Sequence, residues 1–307
     1  MPDTGERHVQ GNMAKKPISK LSLSQLRALE AVARTGSFSA AAKELGVSQP
    51  SISNHVQALE SRFKTRLIAK AGYTTSPTLA LAALLPRVRA ILALCTDLEA
   101  DLDEQKKLAA GELRIGYSTF QLAIPLISDF MTKYPDISIE ARALATQDLL
   151  RLLDDGKVDV CFITGKEIPS GLEGFRLVTT RIVLAVPPGH PLIEKGTVSW
   201  SDIKGLPLIQ REGSSGTRKI FEAAATLAGI RPKTLLALGS WGSIASLIHS
   251  GVGIGVCMEA EVTEQDGFVP VHIDDPSLVA PHFVVWHKDM AKVAVIQAFL
   301  DTVRSQI

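Results

Sequence analysis

Between Ser37 and Glu60 the chain reads as two short helices meeting at a sharp turn, a pairing that few folds can hold. Ala40-Ala41-Ala42 lies in the first helix, Leu45-Gly46-Val47-Ser48 makes the turn, and Gln49-Pro50-Ser51 opens the second. Helices cross steeply only where small residues let their backbones approach and a glycine lets the chain reverse. Ala41, Ala42, Gly46 and Val47 meet those demands. Pro50 falls in the first turn, where a missing N–H is harmless, and Ser48 stands as the N-cap. Ile52, Val56 and Leu59 recur at helical spacing toward a core. Gln49, Ser51, Ser53, Asn54, His55 and Gln57 then point outward, and such short hydrogen-bonding groups suit base edges and phosphates.

The flanks extend the motif. Leu26, Leu29, Val32 and Ala33 form one face of a preceding helix that starts near Ser24 and ends at Gly36, after which Ser37 caps the next. Beyond Phe63, the pieces Arg66-Leu67-Ile68, Gly72-Tyr73-Thr74-Thr75 and Ser76-Pro77-Thr78 read as a β wing with Lys70 and Tyr73 near its tip. A wing of this kind rests on the phosphate backbone or minor groove, where a cation helps. The formal net charge of +1 hides an asymmetry: residues 1–77 sum to +6 and the remainder to −5. The positive end carries the helix-turn-helix.

From Leu79 to about Lys107 the chain has no Gly, and its only Pro is Pro86. Leu81, Leu84, Val88, Ile91, Cys95, Leu98 and Leu102 step by three and four in alternation, a seam narrow enough for a coiled coil. The outer face, with Asp97, Asp101, Asp103, Glu104, Lys106 and Lys107, is charged. The expected partner is a second copy of the chain, in a dimer or a tetramer. The alternative is an amphipathic helix packed on its own domain.

After Ala109-Ala110-Gly111 strands and helices alternate, which predicts β-α-β units in a largely parallel sheet. Strands at Leu113–Tyr117, Ile137–Ala141 and Val158–Ile163 belong to a first lobe; a strand near Ile182–Val186 opens a second. Phe283–Trp286 returns to the first lobe, so two lobes joined by two crossings make a clamshell. Four stretches fall at its cleft, where helix N-termini favour anions: Ser118 and Thr119; Thr146 and Gln147; Gly213, Ser214, Ser215, Thr217 and Arg218; and Ser240 with Trp241. Arg218 either forks to an anion or pairs with Glu222 one turn along. Ser and Thr also cap helices, so each stretch alone has a purely structural reading.

Other chemistries find little support. The seven histidines lack metal-ligand spacing, and no Gly-x-Ser-x-Gly or catalytic carboxylate pair occurs, so neither a metal, a cofactor nor catalytic residues are expected. Gly251-Val252-Gly253-Ile254-Gly255 follows a helix and precedes a strand, the reverse of a dinucleotide loop. Cys95, Cys161 and Cys257 form no close pair and read as small apolar groups in a reducing compartment. No run approaches the roughly 18 apolar residues of a membrane span, and a polar leader, residues 1–19, is expected to be disordered, with Met13 an alternative start. A cytoplasmic protein is expected. A solute-binding protein of the clamshell type would leave residues 20–107 unexplained.

In order, Leu26–Glu30, Gly36-Ser37-Phe38-Ser39, Ala41-Ala42, the run from Leu45 to Ser53 and Leu59-Glu60 resemble the LysR-type bacterial transcriptional regulators, and the likeness extends over residues 20–307. It implies an α/β protein with a winged helix-turn-helix at 20–77, a dimerisation helix at 78–108 and an effector domain at 109–307 like periplasmic binding proteins. Lobe I would span about 112–182 and 285–307, and lobe II about 183–284. By the same resemblance Gln49, Pro50, Ser53, Asn54 and His55 face double-stranded operator DNA, with Ser37 and Ser39 near phosphates. A small anionic effector is implied, and RNA polymerase is a further partner of such regulators. The family often has Arg or another long polar residue where Asn54 stands, a basic pair around Lys70 and Tyr73, and Leu-Thr-x-x-Gly where Pro77-Thr78-Leu79-Ala80-Leu81 runs. The Arg211–Arg218 stretch and Gly239-Ser240 resemble the branch associated with aminoethylphosphonate catabolism, with similar strings in branches tied to carbon or sulfur metabolism.

Overall fold

The computed structural model describes residues 21–71, 74–102 and 111–307. The expectations for the leader, for Tyr73, for the end of the dimerisation helix and for the side chain of Leu102 lie outside the described residues.

The N-terminal unit is a three-helix winged fold. Helix α1 (Leu23–Thr35) starts at a capping box, with Ser22 and Gln25 exchanging bonds, and stops at Gly36 in the left-handed region (φ 68°). Ser37 caps α2 (Phe38–Glu44) by accepting from the Ala40 N–H, and Ser48 caps α3 (Gln49–Phe63) by accepting from that of Ser51. Gly46 (φ 65°) makes the turn between them. Leu29, Val32, Ala41, Ala42, Ile52, Val56 and Leu59 close a dry core, as their spacing requires. The wing strands β1 (Ile68–Ala71) and β2 (Thr74–Pro77) pair antiparallel.

The expected single linker helix is broken. A short helix α4 (Leu79–Ala82) precedes α5 (Leu85–Leu102). Pro86 explains the break: it has no N–H for the Ala82 carbonyl, and its ring crowds that carbonyl. The break changes the seam. Leu81 is fully buried in the winged-helix core beside Leu85, so it holds its own domain together rather than facing a partner. Val88 is also turned inward, whereas Leu84, Ile91, Leu94 and Leu98 are 40–59% exposed and Cys95 is half-buried. The opposite face of α5 lies on the C-terminal domain: Ala90 and Ala93 pack with Met290 and Val293, and Asp97 accepts the Ala294 N–H at 3.0 Å.

In the C-terminal domain, lobe I contains β3 (Glu112–Tyr117), α6 (Phe120–Lys133), β4 (Ser138–Ala143), α7 (Thr146–Asp154) and β5 (Val160–Thr164). Strand β6 (Leu172–Val186) then runs without interruption from lobe I into lobe II, where the sequence suggests only its last third, near Ile182–Val186. Lobe II adds α8 (Leu192–Lys195), β7 (Thr197–Val198), β8 (Leu208–Arg211), α9 (Gly216–Leu227), β9 (Thr234–Leu238), α10 (Trp241–His249), β10 (Ile254–Met258) and β11 (Val269–Ile273). Strand β12 (Val279–His287) returns to lobe I and α11 (Ala294–Arg304) packs there.

The strand order is β4-β3-β5-β12-β6-β10-β8-β9, with β11 and β7 on the other edge of β6. The sheet is mixed rather than largely parallel, because the crossing strands β6 and β12 pair antiparallel with their neighbours. The returning strand starts earlier than the expected Phe283, since Val279 already pairs with Arg181; Val284 and Trp286 are core residues of lobe I. Each lobe has its own apolar core, so the crossings are the covalent hinge between two separately packed bodies.

Candidate functional site

The outward face of α3 forms the first candidate site. Gln49, Pro50, Asn54 and Gln57 are exposed and Ser51, Ser53 and His55 partly so, while Ile52, Val56 and Leu59 hold the helix from behind. Ser39 is exposed at the start of α2. In their caps the Ser37 and Ser48 oxygens accept, and among the described residues their O–H groups have no acceptor. Beside α3 runs a groove of about 400 Å³ lined by Ser53, Gln57, Arg66 and Lys70 among others. The wing is set by Glu60, whose Oε1 accepts the N–H groups of Leu67 at 2.8 Å and Ile68 at 3.1 Å. The other Glu60 oxygen holds the exposed Arg66 at 3.2 Å. Lys70 is exposed with its Nζ 5.9 Å from the Phe38 ring centre. A helix of short polar side chains flanked by cations is shaped for a major groove with phosphates on either side. Arg66 and Glu60 belong to the motif and the wing but are not among the expected site residues, since their role depends on where the wing folds back.

The second candidate site is the inter-lobe cleft, and Thr164 is its centre. The Thr146 hydroxyl, at the start of α7, accepts the Thr164 N–H at 3.1 Å and donates to its carbonyl at 3.2 Å. Ser118 Oγ lies 3.2 Å from Thr164 Oγ1, and the Gln147 N–H donates to the Ser214 carbonyl across the lobes at 3.3 Å. Gly216, the first residue of α9, sits against the same carbonyl: a Cβ there would lie 2.0 Å from Thr164 O. The lobes are therefore in contact, with Ser118, just ahead of α6, and the first turns of α7 and α9 around one residue. Thr119 is buried, and neither its Oγ1 nor Gln121 Oε1 has a hydrogen-bond partner among the described residues. Thr164 itself carried no sequence signal, because it ends an apolar strand and becomes a contact only when the sheet assembles.

Behind Thr164 stands His282. Its Nδ1 is 3.1 Å from Thr164 Oγ1 and its Nε2 3.0 Å from Thr180 Oγ1, which links the cleft to both crossing strands. Burial lowers its pKa to about 4, so the imidazole is neutral near pH 7.

The remaining expected residues divide. Gly213 is exposed, Ser214 half-buried, and Ser215 and Thr217 buried at the start of α9. Arg218 is not a free fork: its Nε donates to Glu222 at 2.8 Å and its Nη1 to the Arg211 carbonyl at 3.1 Å, the local pairing that i,i+4 spacing favours. Arg211 is committed as well, 3.5 Å from the buried Glu261, whose carboxyl pKa is raised by its burial. Trp241 is a core residue of lobe II, packed edge-on against Phe268 at 6.3 Å, because the first turn of α10 points its large side chain inward. Ser240 is exposed and caps α10 through the Ser243 N–H at 3.2 Å.

Residues 23–80 match the model for the bacterial regulatory helix-turn-helix protein, lysR family, and residues 106–307 that for the LysR substrate binding domain. The chain belongs to the LysR family. This LysR-type protein is a DNA-binding transcriptional regulator with an effector-binding domain, not an enzyme. The regulator is 33% identical over 241 residues to the probable RuBisCO transcriptional regulator of Porphyra purpurea, covering 75% of this chain and 76% of that one. It is 31% identical over 236 residues to the HTH-type transcriptional regulator CbbR of Rhodospirillum rubrum, covering 76% and 78%. A full-length OxyR variant from Pseudomonas aeruginosa shares its fold with a TM-score of 0.74 at 18% identity, over 94% of this chain and 96% of that one. Full-length CbnR complexed with target DNA is similar at a TM-score of 0.51 and 21% identity, over 93% and 99%. LysR-type regulators bind DNA and effectors and form oligomers. Among the described residues no helix is long and apolar enough to cross a membrane.

Proposed function

We propose that this regulator binds a small anionic metabolite between its lobes and reads a double-stranded operator with α3, as a dimer or tetramer joined through α5. The observation that carries the effector reading is the meeting of Ser118 and the first turns of α7 and α9 at Thr164. Helix N-termini carry a partial positive charge, so two gathered beside a hydroxyl favour an anion without a free side-chain cation. Ser118 supplies a hydroxyl at that point, and its chain neighbour Thr119 holds a buried Oγ1 without a hydrogen-bond partner among the described residues.

On the DNA side Gln49, Ser53 and Asn54 read bases, with Ser37, Ser39, Ser48, Pro50, Ser51 and His55 along the same face, and Lys70 and Arg66 bind phosphates through the wing. Asn54 can pair bidentately with adenine. Leu84, Ile91, Cys95 and Leu98, joined by Leu94, form the exposed stripe on which a second copy of α5 packs. Action in the cytoplasm and contact with RNA polymerase belong to the same reading.

The effector class is tested by the thermal stability of the purified regulator against 2-aminoethylphosphonate, phosphate, sulfate and common dicarboxylates at fixed ionic strength. The resemblance around Arg211–Arg218 puts the phosphonate on that panel, and the relatives named for RuBisCO regulation add anions of carbon metabolism. A selective rise in melting temperature that disappears in Ser118→Ala and Thr119→Val supports the cleft. No rise with any anion, or a rise that survives both substitutions, sinks it.

A further inference from the structure

Helix α7 spans from the cleft to the DNA-binding unit. At its start Thr146 holds the backbone of Thr164, and Gln147 reaches Ser214 of lobe II. Past its far end comes Gly156, in the left-handed region at φ 61°. Nine helical residues make a rod about 13 Å long. Leu149 and Leu153 are its buried side chains on the sheet side, and Gln147 and Arg151 face out. Helices packed over one apolar face shift against their support by about 1–2 Å.

The turn at Gly156 bears a side chain from another domain. Arg89 of α5 is 7% exposed, and a Cβ on Gly156 would lie 1.0 Å from its Nη1. The guanidinium thus occupies the space that any side chain at 156 would need. Its Nε is 3.2 Å from Glu30 of α1, and Glu30 also holds Arg34. Neither Nη1 nor Nη2 has a hydrogen-bond partner among the described residues. The neighbouring cation, Arg114 of lobe I, is committed to Asp159 at 2.7 Å. Arg89 is therefore attached by hydrogen bonding to the DNA-binding unit, and to lobe I by packing and by the opposed charges of Asp159 and Arg114, without a hydrogen bond. A packed contact without hydrogen bonds transmits displacement of the turn without fixing one position.

We infer that Arg89 is a positioning residue for effector-responsive DNA binding: movement of α7 at the cleft displaces Gly156 beneath the guanidinium, and Glu30 carries that shift into α1. The inference rests on the cleft being the effector site. Two sites that bias one element are coupled reciprocally, so the route can be tested from the cleft end without knowing the effector.

Gly216→Ala does this, because its Cβ would meet the Thr164 carbonyl and force the lobes apart. Operator duplexes are selected from random sequence with the full-length regulator, and affinity is measured by fluorescence anisotropy in a double-mutant cycle. Gly216→Ala is expected to change operator affinity by at least about fivefold when Arg89 is present, and to have no effect in Arg89→Met. Gly156→Ala, which ejects the guanidinium from the lobe side, gives the same decoupling and serves if Arg89→Met folds poorly. Hydrogen exchange at the Gln147 amide reports lobe opening. An equal affinity change in the wild-type, Arg89→Met and Gly156→Ala backgrounds overturns the inference. So does an opened cleft with unchanged operator affinity, a result that leaves the anion panel, measured without DNA, standing. Protection at Gln147 that survives Gly216→Ala overturns it too, since the lobes would then not bear on each other there.

Discussion

Thr164 Oγ1 stands 3.1 Å from Nδ1 of His282, and that contact joins the floor of the cleft to the strand that returns the chain between the lobes. Because Nε2 reaches Thr180 on the other crossing strand, a single neutral ring ties both hinge strands to the contact between the lobes. A protonated ring could accept from neither hydroxyl.

That arrangement makes stability depend on pH with a definite sign. The folded pKa of about 4 lies below the ordinary 6.5, so the unfolded chain binds the proton more tightly. The contribution of neutral His282 is complete above the ordinary value, falls as the pH drops through the window, and is gone below the folded value. Its size is about 3 kcal/mol. Urea midpoints of wild type and His282→Gln at pH 5 and pH 7.5 should show a steeper pH dependence in the wild type; parallel curves would show that another group titrates there.

Base reading and phosphate binding should separate by substitution. Gln49→Ala or Asn54→Ala is expected to cost about 1–3 kcal/mol on the selected operator and to relax sequence preference. Lys70→Ala should instead weaken all duplexes alike and reduce the slope of log affinity against log salt by about 0.9. Binding titrations at several salt concentrations check both, and a Gln49→Ala protein with full affinity and selectivity would place the reading helix elsewhere.

Neighbouring leucines of the linker should behave differently. Leu98→Asp puts a charge in the exposed stripe and should lower the oligomeric state seen by sedimentation while the winged helix stays folded. Leu81→Ala removes a fully buried side chain and should destabilise the winged helix by about 2–5 kcal/mol without acting on the seam. A reversal of the two phenotypes would mean that α4 belongs to the interface after all.

Glu60→Ala should loosen the wing. It leaves the N–H groups of Leu67 and Ile68 without their acceptor, a loss of about 1–3 kcal/mol. Faster hydrogen exchange at those two amides, with the α3 core still protected, is the expected outcome, together with weaker binding to every duplex.

Local sequence determined the elements whose signals are local. Ser37 and Ser48 cap their helices, Gly36 and Gly46 take positive φ, and Ile52, Val56 and Leu59 face the core, because caps, turns and periodicity depend on a few adjacent residues. The alternation of strands and helices likewise announced two lobes. Tertiary structure decided everything that rests on partners distant in the chain. Leu81 kept the heptad rhythm yet fell into the core once Pro86 broke the helix. Trp241 stood in the right stretch, but Phe268 took it, whereas Arg218 went to Glu222, the local partner its spacing already offered. Thr164, His282 and Thr180 come together from three strands, and Arg89 meets Glu30 across 59 positions. Burial and hydrogen-bond geometry bring such residues together in space, and spacing along the chain carries no trace of them.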